Sequence, residues 1–414
     1  MKIEVGYGSG TQQVEIKDEN LQEVLEPNKV EHEYSGAEAV RKALEDPAGS
    51  PRLRDIVKPG EKIVIVTSDI TRPCPTWEIM PSVLEELYAG GADKKDITLV
   101  FALGSHRHHT EEEMRHLAGD AVFEEIRCVD SDPDNCVHLG ETSLGTPVDI
   151  DRTVAEADRR ICLGNIEYHY FAGYSGGAKA IMPGCSTPAA IQNNHSRMVK
   201  DDAHAGKLEG NPVREDIEEA VGMTGVDFIL NVVLDEHKKI IFASAGDLTK
   251  AHRRGCAFLD RLYKTKIEKR ADIVIVSQGG APKDLNLYQT QKALDNSKHA
   301  VKDGGTIILV GSCREGFGNK KFADWMTSAD TAHSLIERVN NDFQLGGHKA
   351  AAIAMVLEHA DIYLVSEMDD DLVRSIFMKP FGTLQEAYDA ACEKQGENAS
   401  VIVMPYGGST LPAE

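Results

Sequence analysis

Several features that would each point to a function are scarce in this chain. Of its 414 residues only 6% are aromatic and two are tryptophan, and 45 basic side chains stand against 67 acidic ones, a formal charge of -22. Nucleic acid is thereby excluded as the expected partner, because phosphate neutralisation needs a basic stripe that this sequence does not contain. No stretch approaches the roughly 18 apolar residues of a membrane span. The opening MKIEVGYGSG lacks the basic and then apolar pattern of a secretory signal, so the expected location is the cytoplasm, with no membrane partner. The eight cysteines (Cys74, Cys128, Cys136, Cys162, Cys185, Cys256, Cys313, Cys392) occur singly, without the close pairs that chelate zinc or form a redox couple. They read as reduced, small hydrophobic fillers, and only Cys74 and Cys185 stand inside polar motifs.

What is present is the composition of an ordinary globular chain, 41% hydrophobic and 27% charged. Short β-branched runs followed by Gly-rich or polar turns and then helical stretches repeat along it, the pattern of a parallel sheet with crossover helices. The clearest strands are Lys62–Thr67, Ile97–Ala102, Arg160–Leu163, Ile273–Ser277, Thr306–Val310, Ile362–Val365 and Val401–Met404, with an antiparallel hairpin from Asp227–Leu234 and Lys239–Ala243. The fold class is α/β, in two lobes, each with a mainly parallel sheet flanked by helices. A charged amphipathic helix over about Ala251–Arg270 precedes a fresh strand, which places the lobes at 1–268 and 269–414. Two lobes imply a cleft between them, a preferred place for a ligand.

Three strand ends in the first lobe run into unusual polar loops, and ligands of open parallel sheets bind beyond the carboxyl ends of strands. SDITRPCP follows the first: Ser68, Asp69 and Thr71 supply short hydrogen-bonding groups, and Arg72 a planar cationic fork. It reads either as an anion site or as a Pro-rich turn with an Asx cap. LGSHRHHTEEE follows the second, where Thr110 and Glu113 form a capping box that starts a helix. Of its three histidines, His106 is nearest the strand end and is the functional candidate, whereas His108 and His109 read as solvated loop residues. The third and densest segment is GNIEYHYFAGYSGGAKAIMPGC, Gly164–Cys185, with NNH at Asn193–His195 shortly after.

In that segment Gly173, Gly176 and Gly177 permit close backbone approach and exposed amides that would cradle a phosphate or a flat ring. Lys179 lies between Ala178 and Ala180, so the Gly-Lys-Ser/Thr core of a nucleotide triphosphatase is missing. A lysine there serves as a phosphate contact or, near other cations, as a nucleophile that carries a cofactor covalently; the sequence leaves both open. With His106, His169 and His195 make three strand-end or loop histidines, enough for a general acid, a general base and a metal ligand. In the second lobe, APKDLNLYQTQKALDN starts with Pro282 just inside an expected helix, whose Gln289 and Lys292 share a face. That face reads as a carboxylate-binding surface or as a plain solvated one. The GGHKA of Gly346–Ala350 is a capped helix start or a cleft element.

SDITRP, ALGSHR, EYHYFAGYSGGAKAIMPG, NNH and LYQTQK, in that order, carry a resemblance to the nickel-pincer lactate racemase family over essentially the whole chain. The long Gly-rich segment is its most specific part. The resemblance implies two α/β lobes enclosing, in the interlobe cleft, a nickel-pincer nucleotide: a nicotinic-acid-derived mononucleotide with two thiocarbonyl-type sulfurs. Its square-planar nickel binds those sulfurs, a ring carbon and one protein imidazole. By resemblance Lys179 tethers the cofactor, His195 is the nickel ligand, and His106 and His169 are the acid/base pair, one for each face of the substrate. Asp69, Ile70, Thr71 and Arg72, with Gly176 and Gly177, hold the cofactor, while Arg72, Tyr288, Gln289 and Lys292 contact the substrate.

The implied activity is inversion at C2 of a small 2-hydroxy acid, lactate or a relative, by proton-coupled hydride transfer. The chemistry is coherent, because the C2 hydrogen is barely acidic and a positioned base contributes only about 10²–10⁴-fold. Donating that hydrogen as hydride avoids a carbanion. The implied partners are the hydroxy acid and separate cofactor-maturation enzymes. Two other readings use the same residues: a zinc-dependent hydrolase, which needs two or three converging histidines, and a non-catalytic anion-binding protein.

Overall fold

Aliphatic runs bounded by glycine and polar turns form two six-stranded sheets in the computed structural model of the chain, which describes residues 1–235 and 237–414. The chain divides into two units, one of Val30–Asp260 and one that joins Met1–Lys29 to Arg261–Glu414.

In the unit Val30–Asp260 the strands run in the order Ile240–Gly246, Phe228–Leu234, Arg159–Asn165, Ile63–Ser68, Ile97–Ala102, Arg127–Asp130. All neighbours are parallel except Ile240–Gly246 against Phe228–Leu234, the expected hairpin. Every residue of Ile63–Thr67 and of Phe228–Leu234 is buried, which is why these segments read as continuous rather than alternating hydrophobic runs. Ile65, Leu99, Phe101, Ile161, Leu163 and Leu230 pack with Val83 and Leu87 of the helix Thr76–Ala89. Each such burial contributes roughly 1.5–3 kcal/mol. The chain leaves Ile63–Ser68 toward one edge, through Ile97–Ala102 and Arg127–Asp130, and returns to its other side with Arg159–Asn165. The strand order therefore reverses beside Ile63–Ser68, the point at which open α/β sheets place their ligands.

The other unit holds a wholly parallel sheet in the order Lys379–Phe381, Ala360–Val365, Val301–Val310, Ala271–Ser277, Val401–Met404, Leu21–Val24. Here the start of the chain departs from the expected division at residue 268. Leu21–Val24 is an edge strand on Val401–Met404, and Ile3, Val5 and Val14 of the hairpin Lys2–Tyr7/Gly10–Glu15, with Ile16 just past it, share a core with Ile275 and Ile308. A pairing across some 380 residues leaves no local pattern to read.

Two smaller expectations also change. The helix expected to reach Arg270 spans Leu248–Tyr263, because Lys264–Lys266 pairs in parallel with Leu411–Ala413. Pro282 lies in a turn rather than a helix; the helix is Leu287–Ser297, where the Asn286 side chain accepts from Gln289 N at 3.1 Å. All eight cysteines are free thiols. Burial pushes Cys74 up to about 12 and Cys185 well above the usual thiol range, so both are unreactive packing groups. Among the described residues no helix is long and apolar enough to cross a membrane.

The N-terminal segment should be obligatory for the second unit. Residues 261–414 expressed alone are expected to lack a cooperative thermal transition. Joined to residues 1–29 by a short glycine linker, they should regain one, since Asn28 N already bonds Leu262 O at 2.7 Å. Equal melting of the two proteins by circular dichroism would refute this.

Candidate acid-base and cofactor site

The site is built on the reversal beside Ile63–Ser68. Asp69, the first residue past that strand, is 4% exposed and its carboxylate is used on both oxygens. Oδ1 accepts the Thr71 hydroxyl at 2.8 Å, and Oδ2 lies 2.7 Å from His106 Nδ1. Burial alone would raise Asp69, but the His106 hydrogen bond and charge, with Thr71 and Arg72, hold it below the ordinary carboxylate value. It is therefore a carboxylate, His106 Nδ1 carries the proton toward it, and Nε2 is left as the basic nitrogen. Arg72 donates to Thr71 Oγ1 at 3.2 Å and is exposed, its fork available to an anion. The expected capping box is present, with Glu113 N on Thr110 Oγ1 at 3.2 Å and Thr110 N on Glu113 Oε2 at 2.8 Å.

The Gly-rich segment leaves the adjacent strand Arg159–Asn165 through a two-residue hairpin, Tyr168–His169 against Gly173–Tyr174. At its turn Phe171 is buried and gathers three of the candidate residues. Its ring centroid is 4.5 Å from that of His169, 4.9 Å from that of His195 and 6.0 Å from Lys179 Nζ. Ala172 N donates to His169 Nδ1 at 3.3 Å, so the proton of the neutral ring sits on Nε2. His169 and His106 are thus held in opposite tautomers. His195 ends the helix Pro188–His195, and its Nδ1 is 2.9 Å from Asn194 Oδ1. Asn194 can turn only one way, because its Nδ2 donates to Val213 O at 3.0 Å and to the buried Asp216 at 2.7 Å. Its oxygen must then accept from His195, which puts the proton of the neutral ring on Nδ1.

The glycines lie close against the chain's own side chains. Gly176 and Gly177 have φ of +71° and +57°. A Cβ on Gly176 would meet Asn231 Oδ1 at 2.9 Å, and one on Gly177 the His252 ring at 2.8 Å. The Gly177 N–H is already bonded to Asn231 Oδ1 at 2.9 Å. The close approach serves the protein's own packing and aims Lys179, which sits in the 3-10 turn Gly177–Ala180.

Electrostatics sharpen the picture. Lys179 is half-buried and, among the described residues, has no ion pair; burial, and then the charges of Arg214 and Arg72, hold its amine well below the ordinary lysine value. The same burial, followed by Lys179, Arg72, His195 and Arg214, keeps His169 well below the ordinary histidine value and hence neutral. Arg214 is fully buried, reaches in from the helix Pro212–Thr224, and donates to Ala172 O at 3.1 Å and to Tyr174 O. The guanidinium groups of Arg72 and Arg214 therefore bring positive charge to this edge of a chain with net charge -22, which favours an anionic ligand.

Asp69, Ile70, Thr71, Arg72, His106, His169, Gly176, Gly177, Lys179 and His195 all belong to the unit Val30–Asp260. Tyr288, Gln289 and Lys292 belong to the other, in the first turns of Leu287–Ser297, with Lys292 exposed. His108 is exposed, as expected, but His109 is not. The roles of Phe171, Arg214, Asn194 and Asp216 are not evident in the sequence; Phe171 and Asn194 lie inside the motifs noted there, whereas Arg214 and Asp216 have no local sign. Among the described residues no three His, Cys, Asp or Glu side chains form a metal-holding group, so the zinc reading lacks its ligand set.

A carboxylate-oriented histidine, a second histidine kept neutral and a suppressed lysine amine at the carboxyl edge of a parallel sheet are the equipment of an α/β enzyme that moves protons. Comparison with known proteins agrees. Residues 7–206 match the lactate racemase N-terminal domain and residues 266–411 the lactate racemase C-terminal domain. A lactate racemase of Thermoanaerobacterium thermosaccharolyticum is 33% identical over 424 residues, covering 100% of this chain and 99% of the relative. One of Lactiplantibacillus plantarum is 34% identical over 417 residues, covering 98% of each. The solved lactate racemase apoprotein of T. thermosaccharolyticum superposes with a TM-score of 0.89 at 32% identity, over 100% of both chains. A Thermotoga maritima protein of TM-score 0.60 and 18% identity, covering 91% of this chain and 97% of its own, shares the fold. The chain belongs to the lactate racemase family, and its enzyme class is isomerase.

The buried histidines give the fold an acid limit. His252, 1% exposed, donates from Nε2 to Ser175 O at 2.8 Å, and burial followed by the Arg214 charge holds it well below 6.5. Below pH 6.5 the unfolded chain binds a proton there that the folded chain does not, so stability must fall as pH drops. The slope is at most about 1.4 kcal/mol per pH unit for one such group. Urea unfolding at pH 6.5 and 5.5 should show a smaller loss for His252→Gln than for the wild type; equal losses would contradict the assignment.

Proposed function

We propose that this protein racemises lactate, or a closely related 2-hydroxy acid, at C2 with a nickel-pincer nucleotide attached to Lys179 and its nickel ligated by His195. The observation that carries the reading is the grouping of His169, Lys179 and His195 around Phe171, with the Asp69–His106 pair on the neighbouring strand end. The residues fit the group. An amine held below its ordinary value is nucleophilic enough to be acylated. One imidazole, oriented through Nδ1 by Asn194, suits a metal whose other donors would come from a sulfur-bearing cofactor, and nickel accepts nitrogen and sulfur together.

When bound, the group supplies a hydride acceptor for C2. The chain supplies the proton chemistry. His106 Nε2 takes the hydroxyl proton of one enantiomer, and Asp69 stabilises the imidazolium that results. His169 serves the mirror enantiomer in the proposal: its lone pair, on Nδ1 against Ala172 N, must turn to the substrate to take that hydroxyl proton, and burial, which disfavours the cation, favours the proton's return. Arg72 neutralises the substrate carboxylate. Tyr288, Gln289 and Lys292 stand in the proposal as further substrate contacts, so Lys292→Ala should raise KM.

The test is to incubate protein matured with the cofactor-forming enzymes with a panel of single-enantiomer hydroxy acids and to follow the mirror form by chiral chromatography. Lactate should racemise. His169→Ala should lose about 10²–10⁴-fold in kcat with nickel content intact, His195→Ala should lose nickel, and Lys179→Ala should lose the covalent mass addition. Unchanged optical purity across the panel, or full turnover by metal-free, cofactor-free protein, would overturn the proposal.

A further inference from the structure

The loop that carries Asp69 and Arg72 is held from outside the site. His109 side chain is 1% exposed, with Nδ1 at 2.6 Å from Asp130 Oδ1 and Nε2 at 3.1 Å from the Ile70 backbone nitrogen. Asp130 ends the edge strand Arg127–Asp130 and is itself buried; its Oδ2 accepts His109 N at 2.8 Å and lies 3.2 Å from His108 Nδ1. The imidazole stands edge-on to Phe101 of the strand between, ring centroids 5.4 Å apart. An amide N–H can only donate, so Nε2 must accept, and the ring proton must lie on Nδ1 toward the carboxylate. Ile70 is exposed, so the tie at this residue is its backbone bond to His109, beside those that Asp69 makes to Thr71 and His106.

We propose that His109 is a positioning residue: by accepting the Ile70 N–H while anchored on Asp130, it fixes the Asp69–Arg72 loop and so the Asp69 carboxylate against His106. The inference rests on the reading of His106 as an acid/base group. Its consequence follows from geometry, since misplacement of a catalytic group by about 1 Å can cost on the order of 10²-fold in rate.

Two substitutions separate positioning from packing. Glutamine places its amide oxygen near the former Nε2 and can still accept from Ile70; asparagine reaches Asp130 but falls short of Ile70. In matured holoenzyme, His109→Asn should lower kcat on lactate about 10- to 100-fold, with KM within about threefold and nickel content and Tm like those of His109→Gln. His109→Gln should recover kcat to within about threefold of wild type. Equal activities of the two variants would overturn the inference. Should neither variant fold, the wild type decides: ¹⁵N NMR should show protonated Nδ1 and acceptor Nε2 with an exchange-protected Ile70 amide, and a freely exchanging Ile70 amide would overturn it. His106→Ala serves as the separate control, because full activity there would sink the acid/base reading instead.

Discussion

The parallel pairing of Ile63–Ser68 with Ile97–Ala102 on one side and Arg159–Asn165 on the other is the constraint on which the site depends. In register, Ser68 stands opposite Ala102, and Val66 opposite Cys162. Three loops distant in sequence must therefore leave the sheet at one edge, and they bring Asp69, His106 and His169 with them. The strand interior is aliphatic and buried on both faces, so a slip would expose its hydrophobic side chains and unpair its backbone.

Around this frame the polar groups are committed before any ligand arrives. Asp216 accepts from Thr142, Thr146 and Asn194 at 2.5, 2.7 and 2.7 Å, and through Asn194 it sets which nitrogen of His195 is protonated. Arg214 donates from Nε and Nη2 to the backbone of Ala172 and Tyr174, beside the Phe171 ring that touches both histidines, while its buried Nη1 makes no hydrogen bond among the described residues. Removing one partner from such a network leaves a buried charge or donor unmatched, at a cost of several kcal/mol. Burial, with the charges of Arg214 and Arg72, disfavours the charged form of Lys179, and an anionic occupant relieves it. The proposed cofactor and substrate are both anions.

Much of this was legible in the residues because it is local. Uninterrupted aliphatic runs announced the central strands, the Thr-x-x-Glu pattern announced the helix at Glu111, and the loops after them announced where chemistry would gather. What escaped depends on contacts between distant segments. The pairing of Leu21–Val24 with Val401–Met404 has no signature in either strand, and Arg214 enters the site from a helix that reads as ordinary. His109 looked solvated in a run of polar letters, yet Asp130 and Ile70 bury it. Gly176 and Gly177 signalled close backbone approach; that Asn231 and His252 pack against them has no local sign. Composition and spacing report what a segment prefers, not which remote group will complete it.

The route taken by the C2 hydrogen separates hydride transfer from removal of a proton by a side chain. Matured protein given lactate deuterated at C2, in ordinary water, should yield the mirror enantiomer with the deuterium still on carbon, since the histidines handle only the hydroxyl proton. Product in which that deuterium has washed out to solvent as racemisation proceeds would mean that a side chain removes it as a proton, and the proposed division of labour between chain and cofactor would be wrong.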